Sequence, residues 1–174
     1  MNILIMGPAG SGKSTQADLL SKELNLPHLN VGDVLYFASL EDSNEAALIK
    51  ESMEKGELVD SSITLRLLEK YFQEHQDGVI ADGFPRTLHE AEELKVPIDK
   101  VFHITISDEV VKNRLQERKR FDDTPEAIEK RLEIYHKETE PVLEHYRGLN
   151  LLEEVGGERS VEEIAADIAS RVSK

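Results

Sequence analysis

Gly7-Pro8-Ala9-Gly10-Ser11-Gly12-Lys13-Ser14 satisfies the pattern G-x-x-x-x-G-K-[ST], and it stands between a short apolar run and a helical pattern. Glycines at 7, 10 and 12 let the backbone fold tightly enough for successive N–H groups, Ser11 among them, to point inward at an anion. The N-terminus of the following helix adds partial positive charge at the same place. In that setting Lys13 is expected to bridge the β and γ phosphates of ATP. Ser14 offers its hydroxyl to Mg2+, and Thr15 can help at the α phosphate. The loop predicts nucleotide binding but leaves the fate of the phosphate open, because kinases, hydrolases and switches share it.

A second group of chemically capable residues lies far away in sequence. Asp82-Gly83-Phe84-Pro85-Arg86-Thr87 follows another short apolar run, and Arg114, Arg118, Arg120 and Arg131 are spread over the next stretch. Arg114 and Arg118 are four residues apart and so share one helical face. Phosphoryl transfer asks a protein mainly to align two anions and to neutralise charge on the equatorial oxygens, which several arginines and a lysine can do. The run Arg118-Lys119-Arg120 can equally be a solvated helix end favoured by the macrodipole.

The elements that must carry these groups alternate along the chain. Apolar runs at Asn2–Met6, Gly78–Ala81, Val101–Ile106 and Leu149–Val155 predict strands. Helical spacing follows from Lys13 to the approach of Pro27, then over 33–40, 44–55 with Gly56 as cap, 61–73 and 87–95. Further helices are expected from about Asp108 to the basic tail, from Thr124-Pro125 to about Tyr146 with Gly148 as the stop, and over 160–172. There Ser160 and Glu163 have the spacing of a capping box. The alternation predicts an α/β protein, a three-layer α/β/α arrangement around a parallel sheet of about five strands.

Composition narrows the function. The 174 residues suit one domain, and 21 Lys and Arg against 35 Asp and Glu give a net charge of -14. Such a surface repels nucleic acids and anionic membranes, so an anionic substrate requires the few cations to gather in one cleft. Cysteine is absent, which excludes disulfides and thiolate metal sites. No leader or membrane-spanning stretch is evident, and a cytoplasmic monomer is the expectation.

With GPAGSGKSTQA (7–17), HLNVGD (28–33), ELVD (57–60), DGFPRT (82–87) and the arginines of 114–131 in this order, the chain closely resembles the nucleoside monophosphate kinases, adenylate kinases above all. The resemblance implies a single P-loop kinase domain over 1–174, in which 30–60 is a helical acceptor-binding segment. It implies transfer of the γ-phosphoryl group of ATP to a nucleoside monophosphate, AMP before GMP, CMP or UMP, with Mg2+. The rival outcome is a degenerate nucleotide-binding protein without transfer. Carried over by position, Arg86 would meet the acceptor phosphate and Asp82 the Mg2+ and its waters. Val31, Gly32, Asp33, Gly83 and Phe84 would fall around the acceptor, whose base the backbone of Glu57, Leu58 and Val59 would line. Arg118 would reach the phosphates and Arg114 the ATP base, with Arg120 and Arg131 flanking the transferring group. Arg159 would touch the ATP base through its backbone.

Three departures from the family pattern stand out. Tyr36 occupies the place of an arginine for the acceptor phosphate, and Val31 that of a common threonine. Glu90 stands where a glutamine usually reads adenine; as a carboxylate it only accepts hydrogen bonds and would suit guanine or cytosine, unless it faces water or the base is held mainly by the backbone of Leu58 and Val59. Only Lys119 separates Arg118 from Arg120, so 118–122 is a vestigial lid without a structural zinc site. A short lid is expected to speed product release or to leak phosphoryl groups to water.

Overall fold

The computed structural model describes residues 1–118 and 124–172. Its sheet has five strands, β1 (Asn2–Met6), β2 (His28–Asn30), β3 (Val79–Asp82), β4 (Lys100–Thr105) and β5 (Leu152–Gly156), in the order β2-β3-β1-β4-β5. Each neighbouring pair is parallel. Successive side chains of a strand point to opposite faces, and helices cover both faces here, so a central strand must be apolar throughout. Ile3, Leu4 and Ile5 are accordingly 0% exposed.

On one face Ile3 and Ile5 join Ile80, Phe102, Ile104 and Val155. They pack against Ala17 and Leu20 of α1 (Lys13–Leu24) and Ile164 and Ile168 of α9 (Val161–Val172). The other face carries Leu4, Met6, Val79 and Ala81. It is covered by α2 (Val31–Ala38), α3 (Asn44–Glu54), α4 (Ser61–Glu74), α5 (Leu88–Glu93) and α8 (Glu140–Gly148), which contribute Leu35, Ile49, Leu68, Ala91 and Val142. A satellite cluster, Val111 and Leu115 with Ile128 and Leu132, joins α6 (Asp108–Arg118) to α7 (Pro125–Ile134).

Two elements differ from the sequence expectation. β2 was not foreseen, because three residues are too few to show alternation; only Leu29 of the three is buried. The long helix expected over 125–146 is instead α7 and α8 joined by a π-helical turn at Tyr135–Thr139. Pro141 has no amide hydrogen to continue the i to i−4 ladder, and the looser turn absorbs that loss. The expected caps are present: the Ser160 hydroxyl accepts from Glu163 N at 3.2 Å while the Glu163 carboxylate accepts from Ser160 N at 3.0 Å. Gly56, at φ +65°, ends α3 in a left-handed turn, with Glu57 N donating to Ser52 O and Gly56 N to Met53 O.

Candidate active site

Five of the segments lie at the carboxyl ends of parallel strands, the edge where open α/β sheets bind ligands, while Arg114, Arg118 and Arg131 are carried on α6 and α7. The glycine loop follows β1, Val31–Asp33 follows β2, Gly83–Thr87 follows β3, Thr105–Ser107 bounds the end of β4 and Gly157–Arg159 follows β5. Separation in sequence therefore becomes adjacency along one edge.

The loop after β1 is built to hold an anion. Gly12 is the N-cap of α1 at φ +92°, a conformation costly for other residues, and no side chain caps that end of the helix. The first turn of α1 carries no acidic residue. Ser11 is buried and its hydroxyl has no protein partner. Lys13 donates from Nζ to Pro8 O at 3.2 Å, and its pKa is pushed down to about 8. Burial is the largest cause, and the positive charges of Arg86 and Arg118 act in the same direction against the pull of Asp82. Arg86 is likewise pushed down by burial, held up by Glu90 and Asp82, and repelled by Arg131. Lys13, Asp82, Arg86, Arg118 and Arg131 thus share one electrostatic neighbourhood. Cations brought together at such cost are positioned for an anion.

Asp82, 1% exposed, is the centre of a polar cluster. Its Oδ2 accepts a short hydrogen bond from the Ser14 hydroxyl, and Oδ1 lies 3.1 Å from His28 Nε2. Asn30 Nδ2 reaches Ser14 Oγ at 3.3 Å and Asp82 Oδ2 at 3.4 Å. A hydroxyl paired with a carboxylate beside a polyphosphate loop is the hard oxygen donor set that suits Mg2+. His28 and Asn30 were missed as part of this group. The only signal for them was the string His28-Leu29-Asn30 between Pro27 and the next helix, and its strand character was hidden.

Two open cavities adjoin these segments. One of about 430 Å3 lies beside Ser14, His28, Asn30, Asp33, Phe37 and Tyr71. The other, about 490 Å3, is lined by Thr105–Ser107 and Gly156–Arg159. Arg114 is fixed at this second cavity, donating from Nη2 to Gly157 O at 2.9 Å. Gly157 N donates in turn to Thr105 O at 2.8 Å. A Cβ on Gly157 would sit 2.5 Å from Ile104 Cγ2, so only glycine allows the close approach of the two loops. Arg159, which also lines this cavity, folds its side chain back to Gly156 O at 3.1 Å and to Asp167 at 2.7 Å.

The residues expected around an acceptor divide in a way the sequence did not show. Val31 and Phe84 are each 1% exposed, so their side chains belong to the core and only their backbone can line a ligand. Gly32 and Asp33 form the first turn of α2, where Asn30 accepts from Asp33 N at 3.0 Å. Tyr36 stands in solvent with its ring edge-on to Phe37. Val59 is buried beside half-exposed Leu58 and exposed Glu57. Gly83, at φ +78°, turns the chain toward Arg86, whose Nε donates to Gly83 O at 2.8 Å. Thr15 is exposed in the first turn of α1, and Arg120 lies outside the described residues.

For Glu90 the structure overturns the solvent-facing alternative. The residue is neither in water nor free: at 3% exposure, its Oε2 accepts from Arg86 N at 2.7 Å and Thr87 N at 3.3 Å, completing a capping box with Thr87. Its Oε1 meets the Ser61 hydroxyl at 3.4 Å. Burial raises its pKa against these bonds.

The adenylate kinase family model matches residues 5–150. An adenylate kinase of Prochlorococcus marinus strain AS9601 is 35% identical over 99% of this chain and 98% of its own length. That of strain MIT 9211 is 40% identical over 97% and 95%, and that of Cyanothece sp. PCC 7425 is 35% identical over 95% and 92%. The chain belongs to the adenylate kinase family. It is therefore a phosphotransferase enzyme, and its all-parallel five-stranded sheet is that of a P-loop kinase. Among the described residues no helix is long and apolar enough to cross a membrane.

Proposed function

We propose that this enzyme transfers the γ-phosphoryl group of ATP to AMP, giving two ADP, in a single domain that works as a cytoplasmic monomer. The observation that carries the reading is geometric: the uncapped glycine loop with Lys13 lies beside the Ser14–Asp82 hydrogen bond, and Arg86 is fixed to Gly83 O directly after the same strand. ATP would place its base at the cavity beside Arg114 and Gly157 and its phosphates in the glycine loop. The acceptor would lie across 31–36 and 57–59, with its phosphate at Arg86 and its base against the backbone of Leu58 and Val59. Mg2+ fits the hydroxyl of Ser14 and the carboxylate of Asp82, and when bound it screens phosphate charge and orients the polyphosphate.

Within this site Lys13 binds the phosphates, and Arg86, Arg118, Arg120 and Arg131 neutralise charge that spreads over the oxygens as the phosphoryl group leaves ADP for the acceptor oxygen. His28 and Asn30 orient the Asp82 carboxylate. The acceptor base is read without the side chain of Glu90, which is committed to α5 and to the amides of Arg86 and Thr87.

The test is direct. With ATP and Mg2+, each of AMP, GMP, CMP and UMP is offered and ADP and the acceptor diphosphate are followed; AMP is expected to be the best acceptor. Absence of transfer to every monophosphate overturns the reading. Because the lid is short, ATP hydrolysis without acceptor is expected to be measurable, and its absence counts against leakage.

A further inference from the structure

Lys130 lies on α7 next to Arg131, yet its ammonium group reaches across to the acceptor segment. Its Nζ donates to Lys55 O at 3.0 Å and stands 3.8 Å from the Glu57 carboxylate. Lys55 is the C-cap of α3, and the chain then turns through Gly56 into Glu57-Leu58-Val59. The last carbonyls of a helix lack intrahelical donors and carry the negative end of its dipole, so a cation placed there is favoured. The side chain of Lys55 is turned away, paired with Glu51 at 2.6 Å, which leaves its carbonyl to Lys130.

We propose that Lys130 is a positioning residue for the acceptor: it clasps the wall expected to line the acceptor base to the helix that bears Arg131. The inference rests on the functional reading above, in which the base meets 57–59, the phosphate meets Arg86 and Arg131 flanks the phosphoryl group that passes to it. An acceptor monophosphate must touch both ends of that span at once. A fixed distance between them removes part of the ordering cost of binding. Both partners of the clasp are at the surface, so its contribution is modest and salt-sensitive.

Hydrogen exchange of the ligand-free full chain tests the clasp without reference to activity. The amides of Gly56 and Glu57 are hydrogen-bonded to Met53 O and Ser52 O and so report on the turn. In Lys130→Met these amides are expected to exchange about fivefold faster, with protection restored in Lys130→Arg. Steady-state kinetics then read the positioning. KM for AMP should rise about threefold to tenfold in Lys130→Met, while KM for ATP and kcat stay within about twofold. Unchanged exchange overturns the clasp, and faster exchange with an unchanged KM for AMP overturns the positioning role. An equal rise in both KM values also overturns it, since that marks a general loss of structure. If the unmodified enzyme phosphorylates no monophosphate the functional reading fails, and the exchange comparison still decides whether the clasp exists.

Discussion

The donor and acceptor sides of this site are held in different ways. The glycine loop joins the end of a central strand to a packed helix, and its shape follows from left-handed glycines and a buried sheet edge. The acceptor segment, α2 and α3 with the turn after them, hangs from the edge strand β2 and is tied by surface contacts such as Lys130 to Lys55 O. Tyr36, Phe37, Leu40 and Leu48 remain exposed along it. Left-handed glycines and burial preorganise the first region, whereas the second is anchored by Val31, Leu35, Ile49 and Val59 in the core and adjusted at its surface by side chains that salt or a single substitution can release. The donor side should therefore respond to changes of charge and volume, and the acceptor side to small changes at its surface.

The largest expected effect breaks the donor side. Lys13→Met should lower kcat/KM by about 10²–10³-fold, because it removes a cation aimed at the transferring phosphates. Calorimetry of the ligand-free variant should nonetheless show it more stable by about 1–2 kcal/mol, since a partly buried ammonium facing other cations is no longer held in place. A loss of stability would overturn this account of Lys13. The same group predicts a pH profile. Lys13 is charged below its pKa of about 8, so kcat/KM for ATP should fall as pH rises through that value.

Gly157→Ala comes next. Its Cβ would lie 3.0 Å from Thr105 O as well as against Ile104, so the loops after β4 and β5 must part. The expected cost is about 1–3 kcal/mol in denaturant melts, with a raised KM for ATP and an unchanged KM for AMP. An equal rise in both would erase the distinction between the two sides.

Glu90→Gln tests the boundary between them. Burial raises the Glu90 pKa in the folded state, so the native protein binds a proton more tightly than the unfolded chain. Stability then falls as pH rises from the ordinary glutamate range through the raised folded value, and it stays lower above that. Glutamine also completes a capping box, so the variant should be more stable by up to about 1 kcal/mol at pH 7 and lose that pH slope. The order of preference among the four monophosphates should stay the same; a shift toward AMP would show that Glu90 reads the base.

The smallest effect sharpens the acceptor side. Tyr36→Arg returns a cation to an exposed position, 52% accessible, and should lower KM for AMP about threefold with little change in the melting temperature. No change in KM would mean that position 36 does not face the acceptor phosphate.

Much of this was legible in the residues themselves. The glycine loop, four of the strands and the caps at Gly56 and Ser160 all depend on contacts within a few positions of sequence. β2 was not legible, because a strand of three residues has no measurable period. The π turn before Pro141 was hidden as well, since the apolar pattern runs through it without interruption. Glu90 shows why a side-chain role is harder to read than an element: the same residue type suits a base reader and a capping-box partner, and position alone does not choose.

By itself the sequence determined the glycine loop with its lysine and hydroxyl, and the α/β frame that carries it, because those properties reside in local backbone geometry and in the chemistry of single side chains. Only the tertiary structure decided that His28 and Asn30 join Asp82, that Val31 and Phe84 turn inward, that Glu90 is occupied and that Lys130 reaches the acceptor wall. Each of these depends on the distance between strands and helices far apart in the chain, and those distances are set by packing both faces of one sheet at once.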